Sequence, residues 1–93
     1  MDKKKQIIPK WFEGTIYRKG ALVRNPFSGE TYKLNAKELS MYDFVVGTNM
    51  FLEQFFETKQ EPSEKIEKIT DDLYKGLDWF KENNVKAYMV LLD

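Results

Sequence analysis

Neither cysteine nor histidine occurs among the 93 residues. Without cysteine there are no disulfides and no thiolate metal sites, an absence that suits a reducing compartment. Without histidine the chain lacks the commonest metal ligand and the one side chain that titrates near neutrality when unperturbed. Ser-His-Asp and Cys-His catalysis are therefore excluded, and so is a structural zinc site. Carboxylate, lysine or tyrosine chemistry stays open, but most of the usual catalytic vocabulary is missing. The expectation is a non-enzymatic protein with no cofactor.

Other shortages narrow the class further. No apolar run approaches the roughly 18 residues that cross a bilayer. A secretory leader is not expected, because Pro9, Lys10 and Glu13 interrupt the apolar stretch that would have to follow Lys3, Lys4 and Lys5. The expected location is the cytoplasm, with no membrane partner. With 5 glycines and 3 prolines the chain has no low-complexity linker, and it has no internal repeat. Its length suits one domain with a modest core.

Charge is balanced overall but unevenly spread. Residues 1–35 hold eight bases and three acids, a net +5, so the remainder carries −5. That asymmetry points either to an anionic partner for the front half or to neutralisation between the two halves of one fold.

What is present is aromatic and apolar: 42% of residues are hydrophobic and 15% aromatic, which argues against disorder. The pattern predicts an α+β fold. Residues 1–10 form a flexible basic arm, with Trp11 and Phe12 anchoring it to a single domain over 11–93. A three-stranded antiparallel meander is expected over about 15–34, with strands at 15–18, 21–24 and 30–34. Lys19-Gly20 would make a tight hairpin, and Asn25 to Gly29 a second connection with Gly29 left-handed. The trial register sets Tyr17 opposite Leu22, Leu22 opposite Tyr32 and Arg24 opposite Glu30. Tyr17, Leu22, Tyr32 and Leu34 then face the core. A one-residue slip would reverse the faces.

Asn35 and Glu38 have the spacing of a capping box, so a first helix is expected over about 36–58. It is apolar over most of its circumference, which implies burial on several sides. Gly47 within it suggests close approach of another segment. Ser63 caps a second helix over about 64–82, with an apolar stripe of Ile66, Ile69, Leu73, Leu77 and Phe80 and with Trp79 off the stripe. The apolar run 85–92 is expected to be a strand that joins the sheet, with helix continuation as the alternative.

Three features could carry function. Arg18, Lys19, Arg24 and Lys33, interleaved with Tyr17, Phe27 and Tyr32, suggest nucleic-acid contact, since cations neutralise phosphates and rings stack on bases. Read structurally, the same residues are a charged outer sheet face that keeps edges soluble. Glu64, Glu67 and Asp71 share a helix face that could bind Mg²⁺ or Ca²⁺. However, Glu64 with Lys68 and Asp71 with Lys75 are ordinary i,i+4 pairs, and no metal or phosphate-binding motif is present. The third feature is the apolar surface of the first helix, which one stripe and one sheet face cannot cover. Phe44, Phe51, Phe55 and Trp79 are the candidate oligomer interface, with a two-fold dimer favoured and a different protein as the rival partner.

Residues Asn25-Pro26-Phe27-Ser28-Gly29-Glu30, followed by Tyr32, Leu34, Glu38, Leu39, Ser40, Met41, Tyr42 and Asp43, resemble small uncharacterised proteins of marine bacteriophages and marine environmental sequences. Gly76-Leu77-Asp78-Trp79-Phe80 and Lys86 to Asp93 extend the resemblance to about 14–93. It implies a viral accessory or structural protein acting in the host cytoplasm and assigns no activity and no site residue. The expectation is thus a self-associating protein of phage type working through protein contacts, with another viral or host protein as a possible partner. The alternative is a nucleic-acid-binding module using Arg18, Lys19, Arg24 and Lys33.

Overall fold

The computed structural model describes residues 6–92. In chain order it contains strands β1 (Ala21–Arg24) and β2 (Thr31–Leu34), then helices α1 (Ala36–Glu57), α2 (Glu64–Asn83) and α3 (Val85–Leu91). The architecture is α+β, with one two-stranded antiparallel sheet. Lys3, Lys4 and Lys5 of the expected arm lie outside the described residues.

The hairpin departs from expectation in register. Leu22 pairs with Lys33, Val23 with Tyr32 and Arg24 with Thr31. The cause is the turn. Asn25 N–H donates to the Glu30 carbonyl (2.8 Å), so Asn25 and Glu30 close a four-residue loop. The expected opposition of Arg24 and Glu30 would need a five-residue one. Gly29 does take positive φ, at 79°. Because strand faces alternate, the slip moves Leu22 outward to 68% exposure and turns Val23 inward, where it joins Tyr32 and fully buried Leu34 on the face expected for them.

Residues 15–18, expected as a strand, are irregular. The Tyr17 N–H donates to Ser40 Oγ (2.8 Å), a hydroxyl on α1, rather than to a neighbouring strand. Gly20 is not a hairpin turn. A Cβ there would collide with the Leu34 carbonyl oxygen and crowd Asn35 Cα at 2.8 Å, so Gly20 lets the chain cross flush over the end of β2.

The helix starts follow the sequence. Asn35 Oδ1 accepts from Glu38 N–H (2.8 Å) and Glu38 Oε1 accepts from Asn35 N–H (3.0 Å), a closed capping box. Ser63 caps α2 through Ile66 N–H. The run 85–92 is helix over Val85–Leu91, not strand. Asn84 breaks α2 with extended φ and its Oδ1 accepts from Ala87 N–H (3.1 Å), which starts a new turn. Ala87 and Leu91, four apart, are both buried. Four-residue spacing keeps two residues on one face of a helix or of a strand, so an eight-residue run is too short for periodicity alone to separate the two.

Ile66, Leu73 and Phe80 of α2 pack toward Met41, Val45 and Leu52 of α1 in one continuous core. The close approach between these helices occurs at Gly76, not at Gly47. A Cβ on Gly76 would lie 2.8 Å from Val45 Cγ2 and 3.4 Å from Met41 Sδ, whereas nothing approaches Gly47. Gly76→Val should therefore destabilise the fold by about 1–3 kcal/mol despite its better helix propensity. Urea unfolding checks this; a variant as stable as the parent would show that the helices can separate freely.

Candidate functional site

Three places concentrate side chains that the core does not use. The first is a polar junction where the chain's beginning meets α1 and the α2–α3 break. Glu38 is only 5% exposed, and its carboxylate accepts from Gln6 Nε2 (2.7 Å), Asn84 Nδ2 (2.8 Å) and the Asn35 N–H. Asn35 Nδ2 returns a bond to Gln6 Oε1 (2.8 Å), and Tyr32 Oη donates to Asn84 Oδ1 (3.4 Å). Every donor has a local acceptor, so the junction reads as a clamp. The capping-box spacing foretold Glu38, but its bonds to Gln6 and Asn84 cross 32 and 46 residues. No local pattern reports contacts at such a distance.

The second place is a groove of about 400 Å³ between α1 and α2. Phe44, Gly47, Thr48 and Phe51 line it from α1, and Ile69 from α2. Phe44 is half-buried because Trp11 and Phe12 pack on it, with ring centroids 5.7 and 5.3 Å away. Phe51 has no such cover and is 48% exposed; on other faces of α1, Met50 is 58% and Phe56 53% exposed. Phe55 continues the same helix face as Phe44 and Phe51 and packs edge-on against Phe56 (5.4 Å). The rim carries both charge signs. Lys68 Nζ lies 3.0 Å from Asp72 Oδ2 and 3.9 Å from Glu13 Oε1. Its hydrogen bond to Asp72, reinforced by the Asp72 and Glu13 charges, holds the ammonium above the ordinary lysine range. Lys65, on the same rim, forms no ion pair among the described residues.

No family model, curated protein or solved structure matches the chain. The surfaces themselves must carry the functional reading.

Of the expected interface residues, the structure brings Phe44, Phe51 and Phe55 onto one face of α1. It does not add Trp79. That side chain is 7% exposed and its Nε1–H donates to the Ile7 carbonyl (2.9 Å), so it packs inside the fold. The arm is consequently fastened at Gln6 and Ile7. Helical spacing alone could not foretell this, because Trp79 meets a segment 72 residues away.

The third place is the hairpin. Arg18, Lys19, Arg24 and Lys33 are all exposed, and none forms an ion pair among the described residues. Arg18 and Lys33 border one open cleft beside β2, which Glu82 also borders. Among the described residues no acidic cluster is arranged to hold a metal ion, and no helix is long and apolar enough to cross a membrane.

Proposed function

We propose that the protein is a non-enzymatic, self-associating chain that works through protein contacts, with the α1–α2 groove as its dimer surface. The observation that carries this reading is Phe51, an aromatic ring left 48% exposed one helical turn from a glycine with open space around it. A two-fold contact requires a patch that complements itself, because each residue meets its counterpart's neighbour. Phe51 as knob and Gly47 as notch, four residues apart on one helix, satisfy that requirement when two α1 helices cross between them. The rim supports the same pairing: unpaired Lys65 can meet Glu13 of a second copy, since Glu13 is 78% exposed at its side chain. Aromatic side chains at the centre with charges at the rim are a usual make-up of such contacts.

The biological setting belongs to the proposal too. The resemblance to marine phage proteins favours an accessory or structural role in the cytoplasm of an infected bacterium. Genes for virion structure next to this one would support that setting, and replication genes there would argue for a nucleic-acid role instead.

Phe51→Glu tests the surface. It should weaken self-association by about thirtyfold or more, as removal of a central hot-spot residue does. The helical circular-dichroism signal should persist, because the side chain is already half in solvent. Sedimentation velocity reads the change, and a dimer indifferent to the substitution would place the contact elsewhere.

A further inference from the structure

The hairpin holds an unusual combination that self-association leaves unused. Phe27 sits at its tip and is 99% exposed. A large ring fully in water is ordinarily found on a loose loop, yet this turn is held. Asn25 Oδ1 accepts from Phe27 N–H (2.8 Å) and Ser28 N–H (3.4 Å), and Ser28 Oγ accepts from Glu30 N–H (3.1 Å). Gly29 N–H donates to the Asn25 carbonyl (2.8 Å). Asn25 Nδ2 then ties the whole turn to α3 through the Val90 carbonyl (2.9 Å). The ring is presented on a fixed support.

Cations surround that support. Strand alternation puts Arg24 and Lys33 on the outer face with Leu22 and Thr31. The Arg24 guanidinium lies along the turn, since a Cβ on Gly29 would be 3.5 Å from its Nη2. Arg18 shares a cleft with Lys33 at the other end of β2. Glu30 is the one acid on the hairpin itself, and it forms no ion pair among the described residues.

We infer that the outer face of the β1–β2 hairpin binds single-stranded nucleic acid, with Phe27 stacking on a base and Arg24, Lys33 and Arg18 following the phosphates. Sequence-tolerant single-strand binding needs an exposed π-face and unpaired cations along one track. A duplex offers phosphates to the cations but no free base face to the ring, so the exposed aromatic selects the single strand. This inference concerns a surface separate from the α1–α2 groove and stands whether or not the chain dimerises.

The test is fluorescence anisotropy of the full chain with a labelled oligothymidine of roughly 12 nucleotides, within the size range such sites cover. Binding should appear at low salt and weaken about thirtyfold between roughly 50 and 200 mM, the slope expected for three or four phosphate contacts on a single strand. Phe27→Ala should weaken it roughly tenfold without moving the melting temperature, and Phe27→Trp should retain it. Replacing Arg24 and Lys33 together by Ala should flatten the salt dependence. Absence of binding at low salt overturns the inference. So does a Phe27→Ala variant that binds like the parent, or a duplex of equal length bound as tightly as the single strand.

Discussion

Phe80→Ala should lower the stability of this domain by about 3–5 kcal/mol, the range for deleting a buried aromatic ring. Phe80 is 1% exposed, stacks edge-on with Trp79 (5.5 Å between centroids) and belongs to the cluster that joins all three helices. Its loss removes the transfer free energy of the ring and leaves a cavity that the flanking helices cannot close, because Gly76 already holds α1 against α2. A chain of this size would lose on the order of 20 °C of melting temperature. Phe27→Ala is the internal comparison. The residue and the substitution are the same, but the ring is in water, so the change should stay within about 0.5 kcal/mol. Thermal unfolding of the two variants side by side measures the contrast. Equal stability losses would mean that Phe80 is not in the core.

Glu38→Ala should cost about 3 kcal/mol, because one carboxylate serves three donors and hydrogen bonds to charged groups contribute about 1.5–3 kcal/mol each before relaxation. Removing it opens the capping box at Asn35, strands Asn84 Nδ2 and leaves Gln6 Nε2 with only its 3.4 Å bond to the Asn83 carbonyl. Glu38→Gln is nearly isosteric yet should recover little of the loss. Oε1 faces one donor and Oε2 faces two, so an amide NH₂ in either position points at another N–H. Urea titration of both variants checks this. A Gln variant as stable as the parent would show that the carboxylate is not the hub.

Much of the helical layout was legible from single residues. Asn35 with Glu38 and Ser63 marked the helix starts because a cap is a local device, satisfied within three residues. The stripe from Ile66 to Phe80 marked the buried face of α2 for the same reason: its period repeats along the chain. The departures from the sequence pattern share a different cause. The fates of Gly20, Tyr17 and Trp79 were set by groups far away in sequence, the Leu34 carbonyl, Ser40 Oγ and the Ile7 carbonyl. No strand forms at 15–18, and the Tyr17 N–H is taken by a hydroxyl on α1 instead of a neighbouring strand. The register of β1 and β2 turned on one residue in the loop from Asn25 to Glu30, which alternation cannot fix. Gly76 carried a usable signal, a glycine between Leu73 and Leu77 on an apolar face. Gly47, where nothing lies within 4 Å of an added Cβ, did not need to be small for packing within this fold.

That leaves Phe51 and its neighbours as apolar surface with no cover among the described residues. Sedimentation equilibrium of the full chain at micromolar concentration tests whether a second copy supplies the cover. Self-association through the α1–α2 groove predicts a mass approaching twice the 11.1 kDa of one chain, falling toward it on dilution. A single species at 11.1 kDa across the whole concentration range would contradict it.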